Sequence, residues 1–282
     1  MKTYLECIPC FFRQALFAAR AATEDEAVVK EVLDRVAAHV PRIPMDQTPP
    51  EVARGVYAAV REVTGVCDPF AAHKEESIRK SLALYEELKG AVEEAEDPLW
   101  AAVRVAIAGN VIDLGANPDF DLEAEMGAVR KGRLAIDHYA SFQQYAEAAR
   151  TVLYLGDNAG ETVFDRLLIE VLGRDTVYAV RDIPIINDAT VEDAEKSGLG
   201  DVARIISSGC DAPGTILSRC SEAFLEVFEA ADIIVSKGQG NFESLSGVDA
   251  PVFFLLKTKC PVIAGHLGTK SGDTILKDAR GG

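Results

Sequence analysis

Over residues 1–95 the apolar positions recur at helical spacing. Phe11, Phe12, Ala15, Leu16 and Ala19 form one stripe, and Val28, Val29, Val32, Leu33 and Val36 a second. Val52, Val56, Ala59, Val60 and Val63 form a third, and Ile78, Leu82, Leu84, Tyr85 and Leu88 mark a fourth helix over Ala72–Val92. Breaks fall at Pro41–Pro44 and at Thr48-Pro49-Pro50. Proline cannot continue a helix but fits its first turn. The acidic stretch Glu93–Pro98 reads as a boundary, so residues 1–95 are expected to form a helical domain and 96–282 a second unit.

That second unit opens on helical patterns at Leu99–Ala108 and Phe142–Arg150, and then its texture changes. Strand-like apolar runs appear at Thr151–Leu155, Thr176–Val180, Ala203–Ile206, Ile233–Ser236, Val252–Leu256 and Pro261–Ala264. Helical patterns at Val163–Leu172, Val191–Lys196 and Thr215–Phe228 separate several of them. Such alternation predicts βαβ units and a mainly parallel sheet.

Ligands of open α/β sheets gather at the carboxyl ends of strands. Gly156-Asp157-Asn158-Ala159-Gly160-Glu161 follows the first run, and Asn187-Asp188 follows the second. If these strands are adjacent and parallel, Asp157, Asn158 and Asp188 meet at one hard cation, with positions left for water and substrate. Asn187-Asp188 reads equally well as a helix cap. Ser236-Lys237-Gly238-Gln239-Gly240-Asn241-Phe242-Glu243 opens on the same edge, its glycines allowing close backbone approach and Lys237 offering a point charge for phosphate. Ser207–Thr215 is a weaker third loop of this kind. Asn110 and Asp113 could reach a substrate hydroxyl or serve as a cap and turn. Asp68-Pro69-Phe70 with Lys74 is open in the same way.

Cys7-Ile8-Pro9-Cys10 admits three readings: a redox pair, half of a zinc site, or packed structural thiols. It starts a helical segment instead of lying between a strand and a helix, which argues against a thioredoxin-like motif. No second CxxC completes a four-cysteine set, although Cys67, Cys220 or Cys260 could join singly. The four histidines, at 39, 73, 138 and 266, form no pair at helical spacing. A net charge of −16 argues against a nucleic-acid or anionic-membrane partner. No apolar run approaches the ~18 residues of a membrane helix, and Glu6, Arg13 and Arg20 interrupt any signal-like h-region. Six scattered cysteines point to a reducing cytoplasm.

The ordered set of motifs resembles the metal-dependent damage-control phosphatases, a former domain of unknown function, in the prokaryotic branch with an N-terminal CxxC. It runs through Glu6-Cys7-Ile8-Pro9-Cys10 with Arg13-Gln14, then Asp68-Pro69-Phe70 and Gly109–Asp113. It continues through Gly156–Glu161, Asn187–Thr190, Ser207-Ser208-Gly209 and Lys237–Glu243. The resemblance implies a three-layer α/β/α sandwich behind a small all-helical part. It also implies divalent-metal-dependent hydrolysis of phosphomonoesters such as sugar phosphates or damaged phosphometabolites, with Mg2+, Mn2+, Co2+ or Ni2+ as the cation. By position Asp157, Asn158 and Asp188 match metal ligands, Lys237 a phosphate-contacting lysine, and Asn110 with Asp113 a substrate-side pair. Glu161, Gly238 and Asn241 are expected beside the substrate, and Asp157, Lys237 and Asp113 in catalysis. Two rivals remain: an S-adenosylmethionine-dependent methyltransferase, and a non-enzymatic metal or redox module built on Cys7 and Cys10.

Overall fold

A computed structural model describes residues 1–109 and 133–281. Three helices come first: α1 (Cys7–Ala22), α2 (Glu26–His39) and α3 (Pro49–Thr64). They enclose their own apolar cluster, with Phe11, Ala15, Val32, Val56 and Val60 at its centre. Pro49 and Pro50 open α3, where Thr48 and Glu51 form a reciprocal capping box. The next two helices, α4 (Ala71–Glu93) and α5 (Pro98–Gly109), belong elsewhere. Ile78, Tyr85, Leu88 and Val92 of α4 join the cluster that covers the sheet. The packing therefore divides earlier than the expected boundary at residue 95, because the stripe on α4 packs on α5 and on the helix Thr162–Leu172 and not on α1–α3.

Among the described residues seven strands form one sheet in the order β1-β7-β6-β5-β2-β3-β4. They are β1 (Ile136–Asp137), β2 (Thr151–Leu155), β3 (Asp175–Val180), β4 (Arg204–Ser207), β5 (Ile233–Lys237), β6 (Val252–Lys257) and β7 (Thr274–Asp278). All neighbours are parallel except β6 and β7. Side chains alternate between faces as a pleated strand requires. Val152, Tyr154, Val235, Phe253 and Leu255 pack beneath α4, α5, α6 (Tyr139–Ala148) and α7 (Thr162–Leu172). Leu153, Leu155, Ile234, Phe254 and Leu256 pack against α9 (Glu222–Ala230), α10 (Gly238–Leu245) and α11 (Pro261–Leu267). A short helix, α8 (Val191–Lys196), follows β3 and its loop. This is the expected three-layer sandwich.

Two expected elements differ. Pro261–Ala264 is the start of α11, not a strand: Pro261 occupies its first turn, and a four-residue apolar run cannot distinguish the two. The helix expected over Thr215–Phe228 begins only at Glu222, after Ser221 caps it by accepting from the Phe224 N–H. Among the described residues no helix is long and apolar enough to cross a membrane.

Strand order places the site. From β2 the chain moves outward through β3 and β4, then returns to set β5 on the other side of β2. The loops after β2 and β5 diverge at this switch, which opens a crevice at the carboxyl ends.

Candidate active site

Asp157 and Asn158 leave β2 at that crevice, and Asp188 arrives in the loop after β3. Two backbone bonds clamp the loops: Ala189 N–H donates to the Asp157 carbonyl and Ala159 N–H to the Asn187 carbonyl, both at 2.8 Å. Asn158 and Asp188 thereby pair as an isolated β-bridge. The helix cap after this loop is Thr190, which forms a capping box with Asp193. Asp188 is thus released from capping and turned into the crevice. Ile186, two residues before it, holds a φ of 48°. For a β-branched residue that is strained by about 1–3 kcal/mol, a cost that clusters at functional sites.

Arg181, the first residue beyond β3, lies beneath the acids and is buried. Its Nε donates to Asp188 Oδ2 at 2.7 Å. Its Nη2 makes no hydrogen bond among the described residues and stands 3.5 Å from Asp157 Oδ1. Its Nη1 donates to Asn241 Oδ1 at 3.1 Å and to Thr215 Oγ1 at 3.3 Å. Asn241 in turn donates to the carbonyls of Gly156 and Lys237, at 3.0 and 2.8 Å, tying the ends of β2 and β5 together. Sequence reading passed over Arg181 as a site residue. Its place directly after a buried run was the available signal.

Burial, then the charges of Asp188 and Glu161, push the Asp157 carboxyl up to about 7, with Lys259 and Arg181 opposing. Asp188 is raised as well, chiefly by burial, against the pull of Arg181. Two acids that resist joint ionisation suit a cation, and three oxygen-bearing side chains suit a hard one. Among the described residues no three His, Cys, Asp or Glu side chains are grouped tightly enough to hold a metal ion by themselves. The set here includes an amide.

A raised carboxyl pKa has a testable cost. Protonated, Asp157 contributes stability that is complete below 3.8, its ordinary value, and is lost as pH climbs through about 7. Metal-free Asp157→Asn is therefore expected to be more stable than the parent at pH 8, by on the order of 2–4 kcal/mol, with the gap closing toward pH 4. Urea unfolding of both proteins in chelator across that range checks it. A constant gap would remove the pKa assignment.

Lys237 is placed otherwise than expected. Its Nζ is enclosed, donating to Glu161 Oε2 at 2.9 Å and Asp165 Oδ1 at 2.5 Å. Tyr154 and Tyr178, stacked with ring centroids 5.2 Å apart, donate their hydroxyls to the same Asp165 at 2.8 and 2.7 Å. Burial works to lower the Lys237 pKa, and the two carboxylates more than offset it, so it stays charged. As placed, its amine is fully buried on two carboxylates and is not exposed at the crevice. It holds Glu161, which accepts from Asn158 Nδ2. With Nδ2 fixed there, Asn158 presents Oδ1 elsewhere, the atom a cation would need. Glu161 and Asn241 are likewise buried and hydrogen-bonded to neighbouring groups. Gly238 gives room to Asp157. Asn110 and Asp113 lie outside the described residues. Lys74 donates to Asp68 and Asp193 at 2.8 and 2.7 Å, a tie between α4 and α8 away from the site.

The crevice continues into a cavity of about 450 Å³. Asp157, Asn158 and Asp188 line one wall, and α1 and α3 roof it with Phe11, Tyr57, Pro49 and Pro50. Arg54 on α3 bonds Asp211 of the β4 loop at 2.7 Å, holding the roof to the sheet edge. Arg13, Gln239, Gly240 and Lys259 add polar atoms. Cys7, Cys10 and Cys260 line it too. Sequence spacing alone could not bring these residues together.

Fold and site define a class: a doubly wound α/β protein with an acid–amide–acid set at the strand-order switch. The profile of the damage-control phosphatase ARMT1-like domain matches residues 3–275, and this chain belongs to that family. It is 34% identical over 280 residues to damage-control phosphatase PH1575 of Pyrococcus horikoshii, across 96% of each chain. It is 32% identical over 293 residues to a damage-control phosphatase of Archaeoglobus fulgidus, across 98% of this chain and 99% of that one. The crystal structure of a DUF89 family protein from Pyrococcus horikoshii superposes with a TM-score of 0.92 at 32% identity, covering 99% of this chain and 100% of the other.

Proposed function

We propose that this chain is a divalent-metal-dependent phosphatase of small phosphomonoesters, its cation held by Asp157, Asn158 and Asp188. The carrying observation is their convergence from two clamped loops onto one cavity of metabolite size. The names of the two archaeal relatives support the reaction class. Their donor chemistry admits Mg2+, Mn2+, Co2+ or Ni2+. A bound cation supplies Lewis-acid polarisation and a template for a phosphoryl oxygen.

The chain's own residues do the rest. Arg181 fixes Asp188 by a hydrogen bond and offsets part of the charge of both acids. Helix α10 begins at the cavity, where Gln239 and Gly240 line it, and its first-turn N–H groups, which have no partner within the helix, favour phosphoryl oxygens. Arg13 and Lys259, cations on the cavity wall, draw an anion into an otherwise acidic protein. Phe11, Tyr57 and the two prolines shelter the organic part of the ester from water. The methyltransferase reading needed an acid at the end of β3. Arg181 stands there, paired with Asp188, and Asp182 accepts from Ser207 Oγ at 2.7 Å.

Metal-stripped protein supplied with each of the four cations is expected to release phosphate from an aryl phosphate and from members of a sugar-phosphate panel. Asp157→Ala is expected to release none. Folded parent protein that releases no phosphate with any cation would overturn the reading.

A further inference from the structure

The CxxC is not absorbed by the phosphatase site, yet it opens onto the same cavity. Cys7 and Cys10 come from the first turn of α1, and Cys260 from the residue that caps α11, and all three line that space. Glu243 of α10 lines it as well and is buried to 8% exposure. Burial first, and then Glu243, Cys10 and Cys260, act to raise the pKa of the Cys7 thiol, so those three groups lie within electrostatic reach of Cys7.

Two glutamines serve these thiols. Gln14 Nε2 donates to Cys10 Sγ at 3.5 Å, and its Oε1 accepts from the Tyr57 hydroxyl at 3.1 Å. Gln239 Nε2 donates to Cys260 Sγ at 3.7 Å and to Glu243 Oε1 at 2.9 Å, while its Oε1 accepts from Lys259 N–H at 3.1 Å. N–H donors aimed at sulfur, each anchored by its other end, are the usual outer support of thiolate ligands.

We propose that Cys7, Cys10 and Cys260, with the Glu243 carboxylate, form a second cation site in the cavity, taking a thiophilic ion such as Zn2+. Three sulfurs and one oxygen make up a borderline-soft donor set, whereas Asp157, Asn158 and Asp188 offer oxygen alone. One cavity would then hold two sites that sort cations by ligand softness. As placed, these side chains are not grouped tightly enough to hold an ion. Occupancy requires side-chain rotation to draw them together, with the thiol protons released to solvent. The inference does not depend on the phosphatase reading.

Reduced, metal-free full-length protein would be titrated with Zn2+ against a chromophoric chelator, with Mg2+ in excess to occupy the oxygen site. The expected result is one Zn2+ per chain, and Cys7→Ser, Cys10→Ser and Cys260→Ser each weaken it at least tenfold. Cys67→Ser and Asp157→Asn are expected to leave it unchanged. Thermal melts confirm that each variant is folded, and Co2+ in place of Zn2+ should show sulfur-to-metal charge-transfer absorption that fades with each cysteine removed. Zn2+ binding that survives all three serine variants, or disappears in Asp157→Asn, overturns the proposal. So does a reduced parent that binds no Zn2+, or one that forms a Cys7–Cys10 disulfide in place of binding it.

Discussion

Gly238→Ala is expected to lower metal-dependent turnover by at least about a hundredfold while leaving a folded protein, since small misplacements of reacting groups carry costs of that size. A Cβ at residue 238 would fall 1.9 Å from Asp157 Oδ2 and 2.3 Å from its Cγ. Something must move. The Gly238 backbone has φ +77° at the junction of β5 and α10, where it is held by the Asn241 bond to the Lys237 carbonyl. The Asp157 side chain is the more easily displaced partner, so the carboxylate leaves the position it shares with Asn158 and Asp188. The left-handed backbone adds about 1–2 kcal/mol for any residue with a Cβ. Turnover with Mn2+, beside a urea midpoint, separates the two effects. Turnover near the parent rate would show that Asp157 is not needed where the structure puts it.

Lys237→Met is expected to destabilise the fold by about 3–5 kcal/mol, the usual cost of leaving buried charge unpaired. Glu161 and Asp165, both buried to 1% exposure or less, lose their shared cation. The two tyrosine hydroxyls still serve Asp165 and Asn158 Nδ2 still donates to Glu161, but the cation the two acids share is gone. Adding Asp165→Asn to Lys237→Met should recover part of the loss, since one of the two stranded acids is then neutral. Chemical denaturation of the single and double variants measures both. A loss below about 1 kcal/mol would be the signature of a solvent-facing lysine and would return Lys237 to the substrate.

The contrast between these two residues shows what the sequence could reveal. Asp157 was legible because a fully apolar run ending in an acid and an amide marks a buried strand's carboxyl end. Asp188 was legible as its partner because a right-handed crossover makes consecutive parallel strands neighbours. Runs such as Ile233-Ile234-Val235 and Val252–Leu256 were equally plain, being buried on both faces. Lys237 was not legible: its partners are 76 and 72 residues away in the chain, and nothing local distinguishes a lysine facing inward from one facing a ligand. The same holds for Cys260, whose nearness to Cys7 exists only after α1 is laid over the strand ends. The two strands at one end of the sheet, β1 and β7, escaped notice for another reason. β1 has two residues, and β7, Thr274-Ile275-Leu276-Lys277-Asp278, is short and half polar, so neither carries a strong period.

The central claim is that one cation on Asp157, Asn158 and Asp188 supports phosphoester hydrolysis. Its most direct test is Mn2+ occupancy, read by electron paramagnetic resonance, and phosphate release, measured on the same samples of parent, Asp157→Asn and Asp188→Asn protein. The account predicts that occupancy and release rise together with added Mn2+ in the parent and are both lost in each variant, while the variants stay folded. Phosphate release that continues in a variant no longer binding Mn2+ would contradict it.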